Sequence, residues 1–151
     1  MQRLFLTFFG AGLSPKAPGT VGSLAGAVAA YGFLMFLPAS TLFLVSICLF
    51  LYSIKIIDSY EAKTGVHDHG SIVIDEVAGV WLAISISGAT AIQFALSVLF
   101  FRAFDIIKPS VIGRIDKNVK GGLGVMGDDM VAGLFAGLLI AICYESVAKI
   151  G

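Results

Sequence analysis

Charge is pushed to the margins of four apolar runs in this chain, over residues 21–37, 41–57, 76–104 and 130–148. Crossing the hydrocarbon core of a bilayer takes about 20 predominantly apolar residues, and each run approaches or exceeds that length. Lipid offers no hydrogen-bond partner to backbone groups, so helices are the expected form. Composition agrees: 58% of residues are hydrophobic and 13% charged, with mean hydropathy +0.96, against about 25% charged in soluble domains. The expectation is an all-α integral membrane bundle, one compact domain over residues 1–151.

The ten basic residues are scattered near loops and balance ten acidic ones, so the basic stripe of a nucleic-acid binder is missing and no nucleic-acid partner is expected. Cys48 and Cys143 lie inside apolar runs, where a thiol acts as a small hydrophobe. The N-terminal "MQRLFLTFFGAG" has one Arg and a short apolar stretch but no persuasive cleavage site, and is expected to be retained.

Runs 21–37 and 41–57, separated at Pro38, read as a helical hairpin. Gly22 and Gly26 are four apart, as are Gly133 and Gly137, a spacing that lets membrane helices approach closely. Residues 58–75, with "DSYEAKTGVHDHG" and then "SIVI", read as a loop outside the hydrocarbon.

The interval 76–104 has the length of one spanning helix. That would separate Arg102, Lys108, Arg114, Lys117 and Lys120 from Lys16, Lys55 and Lys63 across the membrane, against the tendency of basic residues to collect on the cytoplasmic side. A break at "SISGAT", residues 85–90, removes the conflict. Each half then reaches roughly 18 to 20 Å at 1.5 Å per residue, too short for a ~30 Å core. The interval is therefore expected to enter and return as a short broken or re-entrant hairpin covered by the longer helices.

On that topology Asp75 and Glu76, then Arg102, Asp105 and Lys108, then Asp128 and Asp129 fall at run ends on one membrane side. Ionisable groups at such a boundary are costly unless hydrated, paired or bound to a cation. The plain alternatives are helix capping by Asp75 and Asp128, with Glu76 and Asp129 complementing the helix dipole, and a simple Arg102–Asp105 ion pair three residues apart. Acids gathered without a Cys/His ligand pattern suit a hard cation such as Mg²⁺, which shares oxygen ligands with substrate phosphate; Asp75, Glu76, Asp128 and Asp129 are its candidate ligands. Arg102 and Lys108 would then face the anion.

"GLSPKAPGTVGSLAG", residues 12–26, carries Lys16 and leads into a helix start where Thr20 and Ser23 supply hydroxyls and free N–H groups suit phosphate. Capping by Thr20 is the competing role. Gly121, Gly122, Gly124 and Gly127 precede the second acidic pair and read as pliable backbone or a linker. In "HDH", His67 to His69 alternate in an exposed loop without a third ligand at metal spacing, so zinc is not expected. Trp81 and the twelve Phe read as core or lipid contacts.

The stretches "SPKAPGTVGSLAG", "IVIDEVAG", "FRAFDIIKP" and "GGLGVMGDDMVAG" occur in the order found in the phosphatidylglycerophosphatase A family of bacterial membranes, and the chain resembles that family over most of its length. It departs from the family pattern at His69 and at "SVI", residues 110–112, where prolines are common. The resemblance implies a helical, Mg²⁺-dependent lipid phosphatase of the bacterial inner membrane, multi-pass, with its active site facing the cytoplasm. Its substrate would be the phosphomonoester of phosphatidylglycerophosphate, and its products phosphatidylglycerol and inorganic phosphate. Asp75, Glu76, Asp105, Asp128 and Asp129 are then the candidate catalytic acids, and Lys16, Thr20, Ser23, Arg102 and Lys108 the candidate substrate contacts. Metal-activated water and a carboxylate are both open as nucleophile. The alternative from the residues alone is a small cation channel or transporter, its acids lining an ion pathway.

Overall fold

A computed structural model describes residues 1–66, 69–88 and 90–149. The order is α1 (Gln2–Leu6), one 3-10 turn (Ala11–Leu13), α2 (Pro18–Leu34), α3 (Ala39–Thr64), α4 (Ile74–Ser87), α5 (Ala91–Ile107), α6 (Val111–Asn118) and α7 (Gly121–Ala148). No strand occurs among the described residues, and the all-α expectation is met. Of these helices α3 and α7 are long and apolar enough to cross a membrane.

The interval 76–104 is broken where its sequence suggests. α4 ends at Ser87 and α5 starts at Ala91, giving lengths of about 21 Å and about 25 Å at the standard rise, both short of a ~30 Å core. Gly88 carries φ +115°, a conformation open to glycine without a steric penalty. Thr90 and Gln93 form a reciprocal capping box, and the Gln93 side-chain amide also donates to the Ser87 carbonyl at 2.7 Å. One side chain thus ties the end of α4 to the start of α5, covering polar groups that an apolar setting would leave unsatisfied.

α4 occupies the middle of the bundle. Every residue from 77 to 84 is buried, and α2, α3, α5 and α7 all pack on it, α7 most extensively. A helix apolar on all sides is expected inside such a ring. The two glycine pairs meet it on different faces: Gly22 and Gly26 of α2 lie against Val73, Val77 and Val80, while Gly133 and Gly137 of α7 lie against Gly79, Ala83 and Ile86. Two cross-helix hydrogen bonds add to this, Trp81 Nε1 to the Gly26 carbonyl at 2.7 Å and Ser46 Oγ to the Ala78 carbonyl at 2.8 Å.

Two boundaries differ from the sequence reading. Residues 58–75 are not a loop throughout, since α3 continues to Thr64 and stops at Gly65 in the left-handed region. Likewise α7 starts at Gly121, so the glycine-rich stretch is helix and not linker. Gly122 packs on the α3 backbone, where a Cβ would come within 2.2 Å of the Ile54 carbonyl oxygen. Its N–H donates to Asp58 Oδ1 at 2.6 Å. Contact with α3 therefore outweighs the weak helix propensity of glycine. Val73 and Lys120 hold the N-cap positions, so neither Asp75 nor Asp128 is a cap. The "HDH" stretch lies partly outside the described residues; His69 is exposed and its Nδ1 meets Ser71 Oγ at 2.9 Å. Cys48 and Cys143 are free and exposed on the helix surfaces.

A Cβ on Gly133 would come within 2.2 Å of the Gly79 carbonyl oxygen, whereas one on Gly32 meets nothing within 4 Å among the described residues. Gly133→Val is therefore expected to destabilise the bundle by about 3 kcal/mol or more through overpacking, and Gly32→Ala to be neutral or slightly stabilising. Denaturation in detergent, followed by helical circular dichroism, checks both.

Candidate active site

At one end of the bundle the first turns of α2 and α4, the last turns of α5, α6 and the first three turns of α7 enclose a cavity of about 370 Å³. Asp75, Glu76, Arg102, Asp105, Lys108, Asp116, Asp128 and Asp129 line it. The three groups of charges that the sequence distributes over three run ends are thus brought together.

Asp75, Glu76 and Asp129 each offer one carboxylate oxygen, and these oxygens all lie within 4.8 Å of one another. Asp75 is 8% exposed and Asp129 3%. Carboxylates this close and this dry repel one another and lose hydration, a cost that cations or shared protons must offset. Glu76 Oε2 is buried with no hydrogen-bond partner among the described residues, which leaves an acceptor to spare. An all-oxygen set with a spare buried acceptor fits a hard divalent cation.

Arg102 stands opposite. It donates to Asp105 through Nη1 and to Thr20 Oγ1 through Nη2 at 3.3 Å, and its Nε is buried without a hydrogen-bond partner among the described residues. The expected Arg102–Asp105 pair is present, yet it leaves this arginine a donor in reserve. Asp105 also interacts with Glu76 and Asp129, adding to the negative charge. Gly19, on the first turn of α2, makes room for this meeting: a Cβ there would come within 2.3 Å of Glu76 Oε1 and 3.4 Å of Arg102 Nη1.

Asp128, read from sequence as a metal ligand beside Asp129, is placed elsewhere: it receives a hydrogen bond from Lys108 Nζ at 2.7 Å. Adjacent helix positions diverge by about 100°, so only one of the two acids reaches the trio. Lys108 also donates to Asp116 of α6 and ends α5 in the left-handed region, at φ +47°. Partial burial works against its ammonium form, but the bonds and charges of Asp116 and Asp128 prevail and raise its pKa above the ordinary lysine range. Its charge therefore persists through the neutral and mildly alkaline range. The stability it contributes is complete below the ordinary lysine value and is lost only as pH rises through the raised one.

Lys16 is exposed and outside the cavity lining, and Ser23 is buried with its hydroxyl on the Gly19 carbonyl at 2.7 Å. Thr20 is outside the cavity lining and is tied to the site through its hydrogen bond from Arg102. Two participants escaped the sequence reading: Asp116 lies in a short polar helix, and Gly19 looks like any helix-start glycine. Asp58, outside the cavity lining and in a stretch read as loop, acts at a distance by accepting from the Gly122 N–H.

Lys108→Met leaves Asp128 and Asp116 without their shared cation. The pair is 31% exposed at Lys108 and 7% at Asp128, so the loss in stability should be about 1–2 kcal/mol, between the values for exposed and buried pairs. Adding Asp128→Asn should recover part of it, as read from denaturation midpoints of the four proteins of the cycle.

The model of the phosphatidylglycerophosphatase A family matches residues 4–144. The chain is 42% identical to phosphatidylglycerophosphatase A of Escherichia coli over 89% of its own length and 78% of that protein. It is 37% identical to phosphatidylglycerophosphatase A of Haemophilus influenzae, over 87% and 82%. It is also 35% identical to a Bacteroides thetaiotaomicron protein provisionally named a phosphatidylinositol-3-phosphatase, over 90% and 89%. No solved structure matches. With the family model covering nearly the whole chain, and the acids and cations of its matching stretches converging on one cavity, the chain belongs to the phosphatidylglycerophosphatase A family.

Proposed function

We propose that the chain is a Mg²⁺-dependent phosphatidylglycerophosphatase, hydrolysing the terminal phosphomonoester of phosphatidylglycerophosphate to phosphatidylglycerol and inorganic phosphate. The observation that carries this reading is the cavity, where three clustered carboxylates face an arginine and a lysine. Family membership supplies the substrate, since the E. coli and H. influenzae relatives carry that activity in their names.

Phosphoryl transfer asks a protein mainly for positioning and for neutralisation of charge on the transferred group. Asp75, Glu76 and Asp129 would hold Mg²⁺. When bound, the ion neutralises phosphoryl oxygens and favours attack at phosphorus. Arg102, fixed by Asp105 and Thr20, is set to receive a phosphoryl oxygen with the donor it has in reserve. Lys108 contributes positive charge at the α5–α6 corner, and its two acidic partners hold it there. Asp105 orients Arg102 and adds charge beside the trio. In the reaction the P–O bond to glycerol breaks, an oxygen from water ends on phosphorus, and a proton ends on the departing hydroxyl.

The acids gather at one end of the bundle, where a headgroup at a membrane surface is reached, and not midway along it as an ion pathway would require. We infer a multi-pass protein of the bacterial inner membrane, with α3 and α7 crossing the bilayer and the cavity on the cytoplasmic side. The positive-inside tendency supports that orientation, because the basic loops lie at the cavity end.

The decisive assay is phosphate release from phosphatidylglycerophosphate by purified protein. Chelation should abolish release and Mg²⁺ restore it. Asp129→Asn should lower it by at least about 100-fold, the scale of losing one electrostatic contributor, while leaving the protein folded in the membrane. Activity like that of the unaltered protein would take Asp129 out of the site. Gly19→Ala tests positioning: displacing Glu76 and Arg102 by fractions of an ångström to an ångström should cost up to about 100-fold, with stability largely kept.

A further inference from the structure

The face between α2 and α5 is hollow. Leu24, Ala27, Val28 and Tyr31 of α2 and Phe94, Ala95 and Val98 of α5 line an open apolar groove of about 600 Å³, and a second open depression of about 330 Å³ shares Tyr31 and Phe94 with it. Tyr31 and Phe94 belong to both, in edge-to-face contact with centroids 6.3 Å apart. Ala27 and Ala95 keep the lining shallow in side chain. The two helices run antiparallel here, since Thr20 near the start of α2 meets Arg102 near the end of α5. That bridge stands at the rim of the charged cavity, and Leu24 and Val98 lie one helical turn further along each helix.

The hollow therefore begins where the charged cavity ends. From Leu24 to Met35 it spans about 16 Å of helix, close to half of a ~30 Å hydrocarbon core, the depth of one leaflet. A molecule with a phosphorylated headgroup among Arg102, Glu76 and Asp129 would find an apolar trough of leaflet depth directly beneath that headgroup. Bulk lipid alone requires neither the continuity nor the match in depth.

We propose that the α2–α5 groove is the seat of one acyl chain of the lipid substrate, and that it couples chain recognition to placement of the phosphate. The proposal rests on the lipid phosphatase reading above. Val28 and Ala95 are exposed, so tryptophan can replace either without disturbing the core and would fill the groove. Leu99, also exposed and outside the groove lining, gives a matched variant on the same helix.

The test compares Ala95→Trp, Val28→Trp and Leu99→Trp with the unaltered protein, in detergent micelles with Mg²⁺. The substrates are dipalmitoyl phosphatidylglycerophosphate and its dihexanoyl analogue. Filling the groove should raise KM for the dipalmitoyl substrate about tenfold, equivalent to about 1.4 kcal/mol or the burial of roughly two methylenes. Turnover of the dihexanoyl analogue should stay within about twofold, and Leu99→Trp should change neither; a factor of two is below the effect of one methylene. Equal losses on both substrates, or none on either, would overturn the groove assignment while leaving the phosphatase reading intact. If the unaltered protein released phosphate from neither substrate, the phosphatase reading itself would fall, and the groove assignment with it.

Discussion

The approach of α4 to α7 through Gly79 and Gly133 governs the rest of the structure. Each glycine lies four residues after an acid of the trio, Gly79 after Asp75 and Gly133 after Asp129, so each contact is one helical turn from a carboxylate on the same helix face. A Cβ at Gly79 would meet the Asp129 carbonyl oxygen at 2.6 Å, and one at Gly133 the Gly79 carbonyl oxygen at 2.2 Å. Backbones this close bring Asp75 and Glu76 beside Asp129, and a wider spacing would part the trio. Packing and chemistry are set by one contact, and small residues are what membrane helices use where apolar burial alone provides little drive to associate.

That closeness has an electrostatic cost, which the neighbouring cations offset only in part. Arg102 is engaged by Asp105 and Thr20, and Lys108 by Asp116 and Asp128. Neither of them donates a hydrogen bond to Asp129 or Glu76 among the described residues, so the crowding of the trio is left for shared protons or a bound cation to offset. A divalent cation held by these oxygens would relieve the crowding, and Arg102 keeps a donor in reserve for an anion beside them. Local strain of this kind is expected at a functional site and is carried by stability elsewhere. Here the carrier is the ring of α2, α3, α5 and α7 around α4.

Much of this was readable in the residues. The break at 85–90 followed from helix length and the side on which basic residues collect, and it places α5 so that Arg102 returns to the level of Asp75. Both glycine pairs were legible as close-packing surfaces, although their common partner, α4, was not. What failed to show was anything set by contact between distant segments. Asp58 reaches Gly122 across the fold and lets α7 begin early. Asp128 and Asp129 are neighbours in sequence, but helix geometry sends one to Lys108 and the other to the trio. Asp116 carries no signal of its own in the sequence, and it is the fold-back of α6 that brings it to Lys108. Periodicity and composition describe single elements, and these three outcomes depend on pairs of them.

The shortness of α4 is what lets a polar site and an apolar bundle share one small chain. At about 21 Å it cannot span a ~30 Å core, so its two ends meet different environments. Its first turn carries Asp75 and Glu76 into the cavity. Its last turn ends within the bundle, at a turn whose polar groups Gln93 and Thr90 satisfy. A longer α4 would carry the chain to the opposite surface, and α5 would then run away from the cavity instead of back to it, removing Arg102 and Lys108 from the acids. The same return of α5 places its outer face beside α2. The charged pocket and the apolar groove beneath it therefore both follow from one broken helix.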